Sequence, residues 1–93
     1  MLRIEWTQPA LADLIEIETY IEKESPEAAQ LIGQRIWDAS QGLARQPKKG
    51  REGYVRSTRE WVVYKTPCIL VYRVQEGQIE ILHVHHDRQN WKA

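Results

Sequence analysis

The densest set of reactive side chains in this sequence is the run His83-Val84-His85-His86-Asp87-Arg88-Gln89-Asn90-Trp91. Two imidazoles two residues apart on an extended strand project to one face, with Cα atoms about 6.5–7 Å apart, close enough to share a zinc ion. A zinc site needs a third and fourth ligand. With no neighbouring Cys pair or HExxH pattern, neither a metal nor any other cofactor is expected. The same run offers general acid–base chemistry. Cleavage of RNA through its 2′-hydroxyl needs a base for that hydroxyl, an acid for the leaving oxygen and cations on the phosphate. His85, His86, Arg88 and Arg73 supply those groups. Against this, a strand histidine is more often a half-buried packing residue, and Arg73 has a second reading as the cross-strand partner of Glu80.

A second reactive region is the basic stretch from Lys48 to Arg59, which could track a phosphate backbone with Trp61 or Tyr54 stacking on a base. An acidic protein partner is the rival reading, and a solvated charged loop is the third. The chain balances 13 Lys+Arg against 13 Asp+Glu, which taken alone argues against nucleic acid. The average hides a segregation. Residues 1–28 hold seven acids and two bases, a balance of −5, whereas residues 29–65 hold eight bases and three acids, a balance of +5. Of the four tryptophans at 6, 37, 61 and 91, Trp37 and Trp91 are the candidates for interface contacts. Cys68, within an apolar strand, reads as an inert small hydrophobe.

The elements that must carry these groups are legible from periodicity. Leu2 to Trp6 alternates apolar and charged residues as a half-buried strand does. Thr7 is a predicted N-cap with Pro9 in the first turn, and Ala10, Leu14, Ile17 and Ile21 then form the inward stripe of a helix, with Asp13 pointing away. Ser25-Pro26-Glu27 repeats the start signal for a second helix, with the stripe Ala29, Ile32, Ile36, Ala39 and Leu43, ending near Ala44 ahead of Gln46-Pro47. So short a connection makes an antiparallel helical hairpin. Residues 46–53 read as an exposed loop. Three strands follow, over residues 61–64, 68–74 and 79–85. A two-residue turn at Glu76-Gly77 sets Val74 opposite Ile79, Arg73 opposite Glu80, Tyr72 opposite Ile81 and Val71 opposite Leu82.

The predicted order is β-α-α-β-β-β, an α+β fold in one domain over residues 1–93, with the helical hairpin on one face of a small, mostly antiparallel sheet. The last hairpin is apolar on both faces: Ile69, Val71, Leu82 and Val84 on one, and Cys68, Leu70, Tyr72, Val74, Ile79 and Ile81 on the other. Either a partner covers the second face, or the first strand and the C-terminal tail do. Ile15 and Leu31, off their helices' inward stripes, point to a partner. At 42% hydrophobic and 28% charged residues the composition is that of a globular protein. A single cysteine favours a reducing compartment. The absence of an N-terminal h-region or membrane-length apolar run makes the cytoplasm the expected location.

Taken together, the Ala10-Leu11-Ala12-Asp13-Leu14-Ile15-Glu16-Ile17 entry to the first helix, Arg59-Glu60-Trp61-Val62-Val63, Ile69-Leu70-Val71-Tyr72-Arg73-Val74 and Ile81-Leu82-His83-Val84-His85-His86 with Arg88-Gln89-Asn90-Trp91 resemble the RelE/ParE superfamily of type II toxin–antitoxin toxins. The resemblance covers nearly the whole chain. It implies a cytoplasmic toxin held in a hetero-oligomer by a small antitoxin with an acidic C-terminal tail, for which Arg35, Arg56, Arg59, Leu31 and Trp37 are the expected contacts. RelE-like members cut mRNA on the ribosome and carry an Arg directly before the Leu of the L-V-Y strand, where this chain has Ile69. ParE-like members inhibit DNA gyrase by binding. The long helices, the weakly basic ending and the zero net charge favour the ParE-like branch, with His86, Arg88 and Trp91 as target contacts. The alternative is a RelE-like endoribonuclease using His85, His86, Arg88 and Arg59, and a second is a non-toxic binding module.

Overall fold

The computed structural model describes residues 1–87. Strand β1 (Arg3–Trp6) runs directly into helix α1 (Gln8–Glu22), and α2 (Pro26–Gly42) follows after a tight turn. Both helices start as their caps predict. The Thr7 hydroxyl accepts from the Ala10 N–H at 3.4 Å and the Ser25 hydroxyl from the Ala28 N–H at 3.1 Å, each followed by proline in the first turn, where a missing N–H costs nothing. Helix α2 ends at Gly42, two residues earlier than predicted, and Leu43 keeps helical dihedrals as its C-cap.

The remaining strands are β2 (Arg51–Glu52), β3 (Arg59–Val62), β4 (Cys68–Gln75) and β5 (Gln78–His86), in the sheet order β1-β5-β4-β3-β2. Strand β2 is one more than predicted. It lies inside the segment read as an exposed loop, and pairs there with the start of β3, Arg51 opposite Glu60 and Glu52 opposite Arg59. Two charged residues carry no periodicity, so only pairing reveals the strand. Strand β1 lies parallel beside β5, from Arg3 opposite Gln78 to Trp6 opposite Ile81, while the other pairs are antiparallel. It therefore extends the sheet and does not lie over the second face of the hairpin.

The core forms between the helical hairpin and one sheet face, from Ala10, Ile17 and Ile21 of α1, Ala29, Ile32 and Ile36 of α2, and Leu70, Tyr72, Ile79, Ile81 and Val84 of the sheet. Each large aliphatic residue buried there contributes about 1.5–3 kcal/mol. Ile15 is 62% exposed and Leu31 50%, as their positions off the inward stripes predict. Ser40 takes the buried position expected of Ala39. Its hydroxyl donates to the Trp37 carbonyl at 2.7 Å and accepts from Trp6 Nε1 at 3.2 Å. Among the described residues no helix is long and apolar enough to cross a membrane.

The β4–β5 turn is as predicted, with Glu76 and Gly77 both at positive φ (50° and 77°), the signature of a primed two-residue turn. Three of the four predicted pairs hold. The fourth does not: a register shift after Tyr72–Ile81 leaves Leu82 as an extra residue, so Val71 faces His83 and Leu70 faces Val84. A bulge of this kind shifts every later side chain to the opposite face. Val84 thus joins the core. His83 and His85 move to the open face with Val71 and Ile69, and His86 moves to the helix side.

Candidate functional site

Residues directly opposite across paired strands share a face, so the register places each functional side chain. On the open face, one row runs Val62, Ile69, His85 and the next runs Glu60, Val71, His83. The His83 and His85 rings are parallel within 7°, with centroids 6.3 Å apart. Asp13, read from the sequence as pointing into solvent, reaches from α1 to the edge of β5. Its Oδ2 accepts the Val84 N–H at 2.9 Å and the His83 Nδ1–H at 3.1 Å. One carboxylate oxygen thus ties α1 to the strand just past the bulge and orients the His83 ring. Across the same face, Glu60 accepts from the Tyr54 N–H at 3.2 Å and from Arg51 at 3.0 Å. These bonds hold its carboxyl below the usual value, with the Tyr54 N–H the largest cause and His85 a smaller one.

Arg59 and Tyr72 occupy a row on the helix side. The Tyr72 hydroxyl donates to the Pro47 carbonyl at 2.8 Å and accepts the Gly50 N–H at 3.0 Å, and Arg59 donates to the carbonyls of Lys48 and Gly50 at 3.2 and 2.8 Å. Burial pushes the Tyr72 phenol up, against the smaller opposing effects of the Gly50 N–H and Arg59. A Cβ on Gly50 would collide with the Tyr72 ring, which is why the loop passes close enough to be pinned. Beside it opens a cleft lined by Lys48, Arg56, Ser57, Thr58, Arg59 and Val74, with Glu52 as its acidic member. The basic middle of the sequence is therefore an ordered, concave surface. Tyr54, read from the sequence as a candidate for stacking on a base, is 99% exposed.

The predicted site residues do not fall into one group. Arg59 lies on the helix side and His85 on the open side. His86 pairs with Cys68, four residues along β4 from Tyr72, and so sits at least about 13 Å from Arg59 at the Cα. Its ring meets the edge of Tyr20 at 5.9 Å. Arg73 is ion-paired with Glu80, as the register predicts. Among the expected antitoxin contacts, Leu31 and Arg35 share a stripe of α2, with Arg35 donating to the Lys65 carbonyl at 3.1 Å. Trp37 lies on another side of α2, stacked on Trp6 at 5.8 Å, and Arg56 and Arg59 line the cleft. Arg88 and Trp91 lie outside the described residues. Cys68 is fully buried and burial pushes its thiol up, in keeping with an inert core residue. Sequence reasoning missed Asp13, whose role depends on where the bulge falls, and Tyr72 as a loop anchor, because it sits within an apolar run.

This arrangement, a β1-led helical hairpin over a sheet of order β1-β5-β4-β3-β2, recurs in known proteins. The family model of the ParE toxin of the type II toxin–antitoxin system parDE matches residues 4–91. The chain shares 46% identity over 89 residues with "Putative toxin Y4kP" of Sinorhizobium fredii, spanning 96% of this chain and 92% of that protein. It shares 36% identity over 86 residues with "Toxin RelE2" of Caulobacter vibrioides, spanning 92% and 96%. A chain of the chromosomal ParDE system of P. aeruginosa superposes with a TM-score of 0.82 at 28% identity, covering 92% of this chain and 96% of that one. The protein belongs to the ParE family within the RelE/ParE superfamily of type II toxin–antitoxin toxins, a class defined by pairing with an antitoxin.

Proposed function

We propose that this toxin acts in the cytoplasm by binding DNA gyrase rather than by cutting RNA, and that its antitoxin lays an acidic C-terminal tail on the basic cleft. The observation that carries the first part is the dispersal of the groups a nuclease would need. Arg59 is committed to two loop carbonyls on the helix side, while His85 faces the other way. Acid–base cleavage requires proton donor, acceptor and phosphate-binding cation within hydrogen-bond reach of one substrate. Ile69, at the position where RelE-like enzymes carry an arginine, removes a further cation from the sheet. Of the target contacts expected from the sequence, His86, Arg88 and Trp91, His86 turns to the helix side against Tyr20, so the proposed contact is carried by Arg88 and Trp91.

The antitoxin reading rests on the +5 middle segment and its shape. Lys48, Arg56 and Arg59 line one cleft, and exposed Leu31 beside Arg35 extends the contact surface onto α2. Purified toxin should inhibit gyrase supercoiling in vitro and induce DNA-damage signalling on expression, and its antitoxin should reverse both effects. Rapid, gyrase-independent mRNA cleavage that His86→Ala abolishes would overturn the gyrase reading in favour of the endoribonuclease. Arg56→Glu should weaken antitoxin binding by an order of magnitude or more through charge reversal at a contact.

A further inference from the structure

We infer that the basic cleft beside the β2–β3 hairpin is a contact for the sugar–phosphate backbone of duplex DNA. The inference builds on the gyrase reading, because a toxin seated on a DNA-bound enzyme lies beside its DNA. Most cations of the sheet and its loops are committed inside the protein. Arg51 pairs with Glu60 and Arg73 with Glu80, while Lys49 and Lys65 lie over the rings of Trp61 and Tyr64. Lys48 and Arg56 differ: both are exposed, both line the cleft, and neither has an acidic partner among the described residues. Arg59, pinned through Nη1 to the carbonyls of Lys48 and Gly50, keeps further N–H donors beside them. Unpaired cations held around one concave surface focus a field that attracts an anion.

The rest of the lining separates a phosphate from a peptide. Among the described residues around the cleft, Val74 is the sole apolar side chain. A bound peptide strand or helix needs apolar pockets for its side chains as well as charge. Phosphate contacts need cations with hydroxyl or N–H donors, and they fix position without reading sequence. The cleft has this second character. Arg56 and Ser57 stand at the hairpin tip, which is closed by the Thr58 N–H on the Val55 carbonyl and the Gly53 N–H on the Thr58 carbonyl. Ser57 is held there at positive φ (67°), with its exposed hydroxyl unpartnered among the described residues. Such backbone conformations persist where the surroundings enforce them, and they cluster at ligand sites. Glu52, opposite Arg59 across β2 and β3, reduces the net charge, so the contact is with a few phosphates and not a wrapped duplex. An acidic antitoxin tail draws on the same cations and takes its apolar burial from Leu31, so neutralisation includes displacement of DNA.

The test titrates a short mixed-sequence DNA duplex with the full chain over a series of salt concentrations, read by fluorescence anisotropy. Log K should fall against log salt with a slope of about −2 to −3, the value for two or three neutralised phosphates. Lys48→Gln and Arg56→Gln, both at exposed positions, should each take about one off the magnitude of that slope. Lys23→Gln, at the α1–α2 turn, should leave it unchanged. Polyglutamate should displace the duplex. Three results would overturn the DNA contact: slopes unchanged in both cleft variants, no duplex binding where polyglutamate binds, or tighter binding of duplex RNA of the same sequence. Gyrase supercoiling assays on the same preparations keep the two readings apart. Inhibition without cleft-dependent DNA binding removes this contact and leaves the gyrase reading standing, and cleft-dependent DNA binding without inhibition does the reverse.

Discussion

The two faces of the β4–β5 hairpin are nearly equal in apolar content yet differ in purpose. On the helix side, Cys68, Leu70, Tyr72, Ile79, Ile81 and Val84 are buried against α1 and α2. On the open side, Val62 is 53% exposed, Ile69 and Leu82 are half-buried, and Val71, in the middle of the sheet, is only 8% exposed, all interleaved with Glu60, His83 and His85. The first face has apolar neighbours from another layer and carries stability. The second lacks a covering layer among the described residues, and its polar groups are held by Asp13, Arg51 and the Tyr54 N–H, none of which needs the core. Side chains of one strand thus serve folding or recognition according to the face they occupy, and the bulge at Leu82 decides which.

Truncation should expose that division most strongly. Ile81→Ala, at a fully buried position, should cost about 2–5 kcal/mol in urea unfolding. Val62→Ala on the open face should stay within about 0.5 kcal/mol. Comparable losses for the two would mean that the open face is packed after all. Tyr72→Phe comes next. It strands the Gly50 N–H and frees the Pro47 carbonyl, so stability should fall by about 1–3 kcal/mol, with faster hydrogen exchange confined to the loop and β2. Protection that stays unchanged there would show that the loop does not depend on its anchor.

The smallest effect concerns Glu18 on the hairpin, whose carboxyl is pushed up chiefly by burial and secondarily by Glu22. A raised folded-state value disfavours the ionised form, so stability is greatest below the ordinary carboxylate value of 4.5 and falls as pH rises through the raised one. Glu18→Gln should therefore be slightly more stable than the wild type at neutral pH, by less than about 1 kcal/mol given its partial exposure, and the gain should vanish near pH 4. A gain that grows in acid would reverse the assignment.

Much of the scaffold was legible without coordinates because its signals are local. The Thr7 and Ser25 caps with their following prolines, the period of the two helical stripes and the Glu76-Gly77 turn each depend on a few neighbouring residues. The family resemblance followed from the same strands and is matched over residues 4–91. Strand β2 was hidden because Arg51 and Glu52 form a strand only through pairing with β3. The candidate site was legible in composition and misplaced in geometry: the histidines were recognised, but their face was inverted.

By itself, the sequence determined the element order, the stripes that build the core, the turn that pairs β4 with β5, and the segregation of acid and base, since each rests on short-range periodicity or simple charge. Only the tertiary structure decided where the extra residue of β5 would go, because a bulge is stabilised by what meets it from outside the strand. Here that is Asp13 on α1, whose carboxylate takes the Val84 N–H and the His83 ring. That contact spans seventy residues of chain. It buries Val84, exposes His83 and His85 and turns His86 inward, so the placement of all three histidines follows from packing rather than from spacing.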